Sequence, residues 1–313
     1  MRIVYFGTPP FAAKVLQYLV EKKVEIVAIV TRPEKPRGRT LKMLPSAVKE
    51  LAQTHFPQIP IFEPVKASAP DFVEILKSFH PDLFVVVAFG EILKKNLLDV
   101  PTKGSINVHA SLLPKYRGAA PMQRSLMDGV KETGVTIIDV AAQMDAGAIY
   151  KMAKIAVPEE MVFGELEEKL CQLACPNVLE VIQEIDAGSA EKTEQNHAEA
   201  TFAPKIMPEE EKIEWNRPAH QIHNLIRALS PAPGAWCLVK MGDEQKRLKI
   251  KRAQLIQNIY GHPGETLSFS EKGWVVACQK NGLNLLEVQL EGKKSLPIKD
   301  FYIGTKKAPA LVI

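Results

Sequence analysis

The sequence has little of what would mark it for the cell exterior, a membrane or a bound nucleotide. Cysteine is scarce: Cys171, Cys175, Cys237 and Cys278 are the only ones in 313 residues, and no two form a CxxC pair. Cys171 and Cys175 stand four apart in a helical pattern, which puts both on one face, toward a core. A zinc site would need tighter thiol spacing and histidine partners, so no metal is expected. Long apolar runs are missing too. The longest clean one, Leu83 to Phe89, falls far short of the roughly 20 residues that span a bilayer, so no membrane partner is expected. The N-terminus, "MRIVYFGTPP", enters a strand-like run at once, without the basic flank, apolar segment and small-residue cleavage site of a secretory signal. Together these absences predict a cytoplasmic protein. The loop after the first strand, "FGTPPF", is neither GxGxxG nor GxxxxGK[ST], so no dinucleotide or P-loop site is indicated.

Charge is not lacking, but it is unevenly spread. The chain carries 40 Lys and Arg against 36 Asp and Glu, a net charge of +4. From residue 206 onward there are 16 basic and 11 acidic residues, whereas the first 205 hold 24 and 25. A basic C-terminal third hints at a polyanionic partner.

Strand and helix patterns alternate through the first half. "RIVYF", "VEIVAIVT", "PDLFVVVAF" and "GSINVHA" read as buried strands. Helical spacing runs from Phe11 to about Val20, and again from Pro70, which suits a first helical turn. "AAPMQRSLMDG" reads as a helix that stops at glycine. "TGVTIIDVA" and "GAIYKMAKIAV" suggest a hairpin around "QMDAG", and a long helix with Pro176 as a kink follows. The fold class implied is α/β, a Rossmann-like open sheet without the cofactor signature. Its expected extent is residues 1–189, followed by a polar linker or extended arm at 190–205. Residues 206–313 open with a helix, "AHQIHNLIRAL", and then change to short strands between Gly- and Asn-rich turns. That pattern predicts a small, OB-like β-barrel or a sandwich.

The stretch "SINVHASLLPKYRGAAP" holds the candidate chemistry. In a strand, Asn107 and His109 share one face while Ile106 and Val108 share the other. Both polar side chains fall at the C-terminal end of a parallel strand, the edge where open α/β sheets bind ligands. An amide donates to an oxygen that becomes negative, and an imidazole moves protons near neutral pH. Such a pair suits acyl-group chemistry once a carboxylate orients the ring. Asp145, in "QMDAG", is the candidate for that. The same residues are open to a blander reading, with a satisfied structural histidine, an asparagine closing a turn and an ordinary turn aspartate.

Two further features are basic. The loop "TRPEKPRGRTLKMLP" crowds Arg32, Lys35, Arg37, Arg39 and Lys42 around one acid, Glu34. It reads either as a solvated loop or as one that reaches phosphates. In "QKRLKIKRAQL", alternation puts Arg247, Lys249 and Lys251 on one face of a strand, which makes either a positive stripe or a soluble edge.

The string Asn-x-His-x-Ser-x-Leu-Pro at 107–114, with "YRGAAPMQ" and "MDAG" after it, resembles the formyltransferases that use 10-formyltetrahydrofolate. The resemblance extends over nearly the whole chain, through "RIVYFGTPPFA", "VVVAFGEIL", "ATFAPKI" and "IRALSPAPGAW". Its basic loop and C-terminal domain are similar to those of the members that act on initiator methionyl-tRNA. The resemblance implies the formyltransferase fold, Asn107, His109 and Asp145 as catalytic residues, and Ser111, Leu112, Leu113 and Pro114 along the folate; beside them, Phe89 to Leu93 reads as a neighbouring wall. The resemblance also implies 10-formyltetrahydrofolate as the formyl donor, initiator methionyl-tRNA as the acceptor and a tRNA-binding role for the basic residues named above; separately, the two-domain organisation allows a monomer. The chain departs from the family pattern at Pro10, Ala146 and Ala148. Two alternatives stay open: a formyltransferase acting on a small amine, and a non-catalytic RNA-binding protein.

Overall fold

A computed structural model describes residues 1–37 and 42–312. The first half runs β1 (Ile3–Gly7), α1 (Pro10–Glu21), β2 (Ile26–Val30), β3 (Lys35–Arg37), β4 (Lys42–Leu44), α2 (Ala47–His55), β5 (Ile61–Phe62), α3 (Pro70–Lys77) and β6 (Leu83–Val87). It continues with α4 (Lys95–Leu98), β7 (Ser105–His109), α5 (Pro121–Met127), β8 (Glu132–Asp139), β9 (Ile149–Ala156) and α6 (Phe163–Ala187). Seven of the strands form one sheet in the order β5-β2-β1-β6-β7-β8-β9. Pairing is parallel from β5 to β7, and β8 runs antiparallel to β7.

The apolar runs in the sequence explain this sheet. Every residue of β1 and β6 is buried, as a parallel sheet covered on both faces requires. Phe6, Phe84 and Phe89 pack edge-on or tilted at about 5 Å between ring centres, within a cluster that includes Val4, Val30 and Leu76. Pro10 occupies the first helical position of α1, where its missing N–H costs nothing. The long helix α6 runs continuously through Pro176. The basic loop contains a short antiparallel hairpin, β3 with β4, that the sequence pattern did not announce.

The C-terminal part holds α7 (Ala219–Ala228), β10 (Trp236–Met241), β11 (Glu244–Ile256), β12 (Thr266–Ser270), β13 (Gly273–Ala277), β14 (Gly282–Leu290), β15 (Leu296–Pro297), α8 (Ile298–Thr305) and β16 (Ala310–Val312). Its strands pair in the order β12-β13-β14-β11-β10-β16, a curled half-barrel rather than a closed one. Trp215, Ile222, Ile226, Trp274 and Phe301 lie in its core. Trp274 stacks on Phe301 and donates its indole N–H to the Thr266 hydroxyl.

The two compact units interleave along the chain. One takes residues 1–119, 133–155 and 167–203, and the other takes 120–132, 156–166 and 204–313. Helix α5 therefore packs with α7 in the second unit, where the Arg227 guanidinium donates to the Leu126 carbonyl at 3.1 Å.

Candidate active site

Strand β7 delivers Asn107 and His109 to the C-terminal edge of the sheet. Its neighbours fix the register: Asn107 lies opposite Val86 of β6 and Ile138 of β8, and His109 lies opposite Thr136. His109 is 5% exposed. Its Nε2 is 2.8 Å from the Tyr116 carbonyl, and its Nδ1 faces Asp145 Oδ2 at 3.6 Å. The Asn107 amide points at the other oxygen, Asp145 Oδ1, at 3.5 Å. The carboxylate therefore stands between amide and ring. The distances to Asn107 and His109 are at or beyond the long end of the hydrogen-bond range.

Asp145 lies in the turn between β8 and β9, with φ of 53°, a left-handed conformation that a non-glycine residue adopts only at some cost. The surroundings hold it there. The Gly118 amide donates to Asp145 Oδ2 at 2.8 Å. Gly147, two residues on, passes so close to β8 that an added Cβ would lie 1.9 Å from the Asp139 carbonyl oxygen, so only glycine fits. Ala146 and Ala148, on either side of Gly147, are buried.

The segment after β7 is locked from within. Ser111 is 0% exposed and its hydroxyl donates to the Lys115 carbonyl at 2.6 Å. Thr136 of β8 donates to the Ser111 carbonyl and accepts from the Leu113 amide. Of the expected folate-lining positions, Ser111 and Leu113 have buried side chains, and Leu112 and Pro114 keep partial exposure. Phe89 and Leu93 are buried in the apolar cluster that includes Phe6 and Phe84.

The basic residues divide into several groups. Arg32 is paired with Glu91, whose other oxygen accepts from the Ala67 amide, so Arg32 ties three loops together at the base of the basic loop. Glu34, the acid of that loop, pairs with Lys49. Lys35, Arg37 and Lys42 fall on the backbone of β3 and β4, and Arg39 lies outside the described residues. In the second unit, Arg247 is exposed and sits over the Trp236 ring, 4.1 Å from its centre. Lys249 and Lys251 do share a face, but it is not an open stripe. Lys249 donates to the Pro233 carbonyl at 2.6 Å and Lys251 to the Pro231 carbonyl at 2.5 Å. Lys251, expected on an exposed face, is 8% exposed because the 230–234 loop covers that face and accepts its ammonium. Burial first, and the Lys249 charge second, push its ammonium below the usual lysine range, against the opposing pull of Glu287.

All four cysteines are buried. Burial pushes the Cys237 and Cys278 thiols up to about 12, which leaves them unreactive near neutral pH. Among the described residues no group of three or more His, Cys, Asp or Glu side chains is placed to hold a metal ion, and no helix is long and apolar enough to cross a membrane.

Sequence reasoning missed Arg117 and Gln195. Arg117 is 3% exposed and Gln195 5%. The Arg117 guanidinium donates to Gln195 Oε1 at 2.6 and 3.2 Å and lies 2.9 Å from His197 Nδ1. The Gln195 amide donates to the carbonyls of Asp145 at 2.9 Å and Gly147 at 2.7 Å. The arm that carries Gln195 is docked rather than loose: Thr193 bridges to Ile149, and Phe202 to Arg117. No local signal marks a glutamine in a polar arm as the partner of a turn fifty residues earlier.

An amide, an imidazole and a carboxylate gathered where parallel strands end are suited to acyl transfer. Residues 1–182 match the family described as Formyl transferase, and residues 205–306 match the Formyl transferase C-terminal domain. The chain belongs to the formyl transferase family. It is 46% identical over 307 residues to the methionyl-tRNA formyltransferase of Protochlamydia amoebophila (strain UWE25), covering 98% of this chain and 96% of that one. It is 44% identical to the methionyl-tRNA formyltransferase of Chlamydia trachomatis serovar L2b, over 98% of each. Among solved structures, the N-formyltransferase from Helicobacter canadensis, in complex with folinic acid and dTDP-3-aminofucose, has the same fold, with a TM-score of 0.66 at 18% identity over 90% of this chain and 98% of that one.

Proposed function

We propose that this protein transfers the formyl group of 10-formyltetrahydrofolate to the α-amino group of methionine on initiator methionyl-tRNA, preparing it for translation initiation in the cytoplasm. The observation that carries the reading is the meeting of Asn107, His109 and Asp145 at the end of β7, in a chain 46% identical over nearly its full length to a protein named methionyl-tRNA formyltransferase.

The α-amine attacks the formyl carbon, and a tetrahedral oxyanion forms. The new C–N bond stays, the bond to folate N10 breaks, and the proton lost by the amine ends on N10. Asn107 presents its amide hydrogens to the oxyanion, a contribution on the order of 10²–10³ in rate. His109, its ring held by the Tyr116 carbonyl and facing Asp145, moves the proton, worth about 10²–10⁴. The amine is itself a competent nucleophile, so no acyl-enzyme is required, and the buried Ser111 hydroxyl takes no part. The folate lies along residues 111–114, against Leu112 and Pro114. Lys35, Arg37, Arg39 and Lys42 of the basic loop, with Arg247 of the C-terminal residues 206–313, hold tRNA phosphates.

Transfer of labelled formyl from 10-formyltetrahydrofolate to methionyl initiator tRNA tests this. Wild type should transfer, and His109→Ala should lose on the order of 10²–10⁴ in kcat while tRNA binding is kept. Absence of transfer by the wild type, or full activity in the variant, would overturn the reading.

A further inference from the structure

We infer that Gln195 is a positioning residue: from the docked arm, its amide holds the Asp145 turn in the left-handed conformation that places the carboxylate between Asn107 and His109. The inference rests on the catalytic reading of Asp145 given above.

Asp145 has φ of 53°, and a non-glycine residue stays there only if its surroundings over-determine it. Two sets of bonds do so. At the side chain, the Gly118 amide donates to Oδ2. At the backbone, the Gln195 amide donates to the carbonyls of both Asp145 and Gly147, at 2.9 and 2.7 Å, and so spans the turn. The glutamine cannot turn over. Its Oε1 accepts from Arg117 Nε and Nη2, so the amide nitrogen must face the turn. Arg117 is fixed in turn by the arm, because its amide donates to the Thr201 carbonyl and its carbonyl accepts from the Ala203 amide. Gly118, the side-chain anchor of Asp145, is the next residue. One arm segment, 193–203, therefore sets both the backbone and the carboxylate of Asp145. Loss of the backbone anchor would let the turn relax and move the carboxylate off Asn107 and His109, and supporting shells of this kind are worth about 10- to 100-fold.

The test measures kcat and KM for formyl transfer in Gln195→Leu, Gln195→Glu, Asp145→Asn and the double variant Gln195→Leu/Asp145→Asn. Gln195→Leu should lower kcat about 10- to 100-fold, with both KM values within about 3-fold of wild type. In the Asp145→Asn background the same change should cost less than about 2-fold, because the group it positions is already gone. An equal loss in both backgrounds, or a rise in KM at unchanged kcat, would overturn the inference. Gln195→Glu guards against misfolding, since it still offers Arg117 an acceptor and lacks both donors to the turn. A folded Gln195→Glu protein with wild-type kcat would likewise overturn it. Wild-type activity in Asp145→Asn would instead sink the catalytic reading itself.

Discussion

At the scale of single residues, buried polar side-chain atoms are mostly paired. His223 of α7 shows the cost when one is not. Its Nε2 is 3.1 Å from the Ala253 carbonyl, so the neutral ring donates there, and its buried Nδ1 has no partner among the described residues. Burial pushes its pKa below the ordinary 6.5, helped by Arg227 on the same helix and opposed by Glu160 and Glu159. A histidine with a lowered folded pKa binds its proton more tightly in the unfolded chain. Its contribution to stability is therefore complete above about pH 6.5 and falls as pH drops through the folded value. The melting temperature should fall between pH 7.5 and 5.5, and His223→Gln, which still offers an N–H to Ala253, should flatten that fall. Melts with the same pH slope in both proteins would exclude His223 as its source.

At the scale of elements, one loop decides how much of a strand is exposed. The pattern of β11 reads as simple alternation, and Leu248 and Ile250 do face the core. Lys251 keeps the face it shares with Lys249, and the 230–234 loop covers it there. Gly234 sits in that loop at φ of 93°, and an added Cβ there would lie 2.6 Å from the Lys251 ammonium. Lys249 and Lys251 thus pin the loop by two of its carbonyls. Lys251→Met keeps the packed stem and loses one charge-assisted bond, so it should destabilise by about 1 kcal/mol, net of the desolvation it relieves. An unchanged or raised melting temperature would remove Lys251 from that role. The same contrast applies to the segment after β7: its turn residues were legible, but the burial of Ser111 depends on Thr136 of a later strand.

At the scale of the whole molecule, charge is the quantity to test. The basic excess beyond residue 206 and the basic loop together predict tRNA binding that weakens steeply with salt. Replacing Arg37 and Arg39 with alanine should reduce the slope of log K against log salt by about 0.7–0.9 for each phosphate that is no longer neutralised. Binding that does not respond to salt would count against a polyanionic acceptor. Arg32 should matter less to that slope, since Glu91 already pairs with it. The units themselves were not legible as they are built. Residues 120–132 read as part of the first-half α/β pattern, yet they cluster with the C-terminal strands because α5 finds its packing partner in α7.

The sequence by itself determined the sheet and the position of Asn107 and His109. Continuous apolar strands such as Leu83–Val87 leave no choice but burial on both faces, and strand alternation puts residues 107 and 109 on one side whatever surrounds them. Only the tertiary structure decided where Asp145 points, why Gly147 must be glycine, and that Gln195 and Arg117 brace the turn. Each of these depends on atoms brought within 3 Å of one another from segments up to 78 residues apart, and no local pattern encodes such contacts.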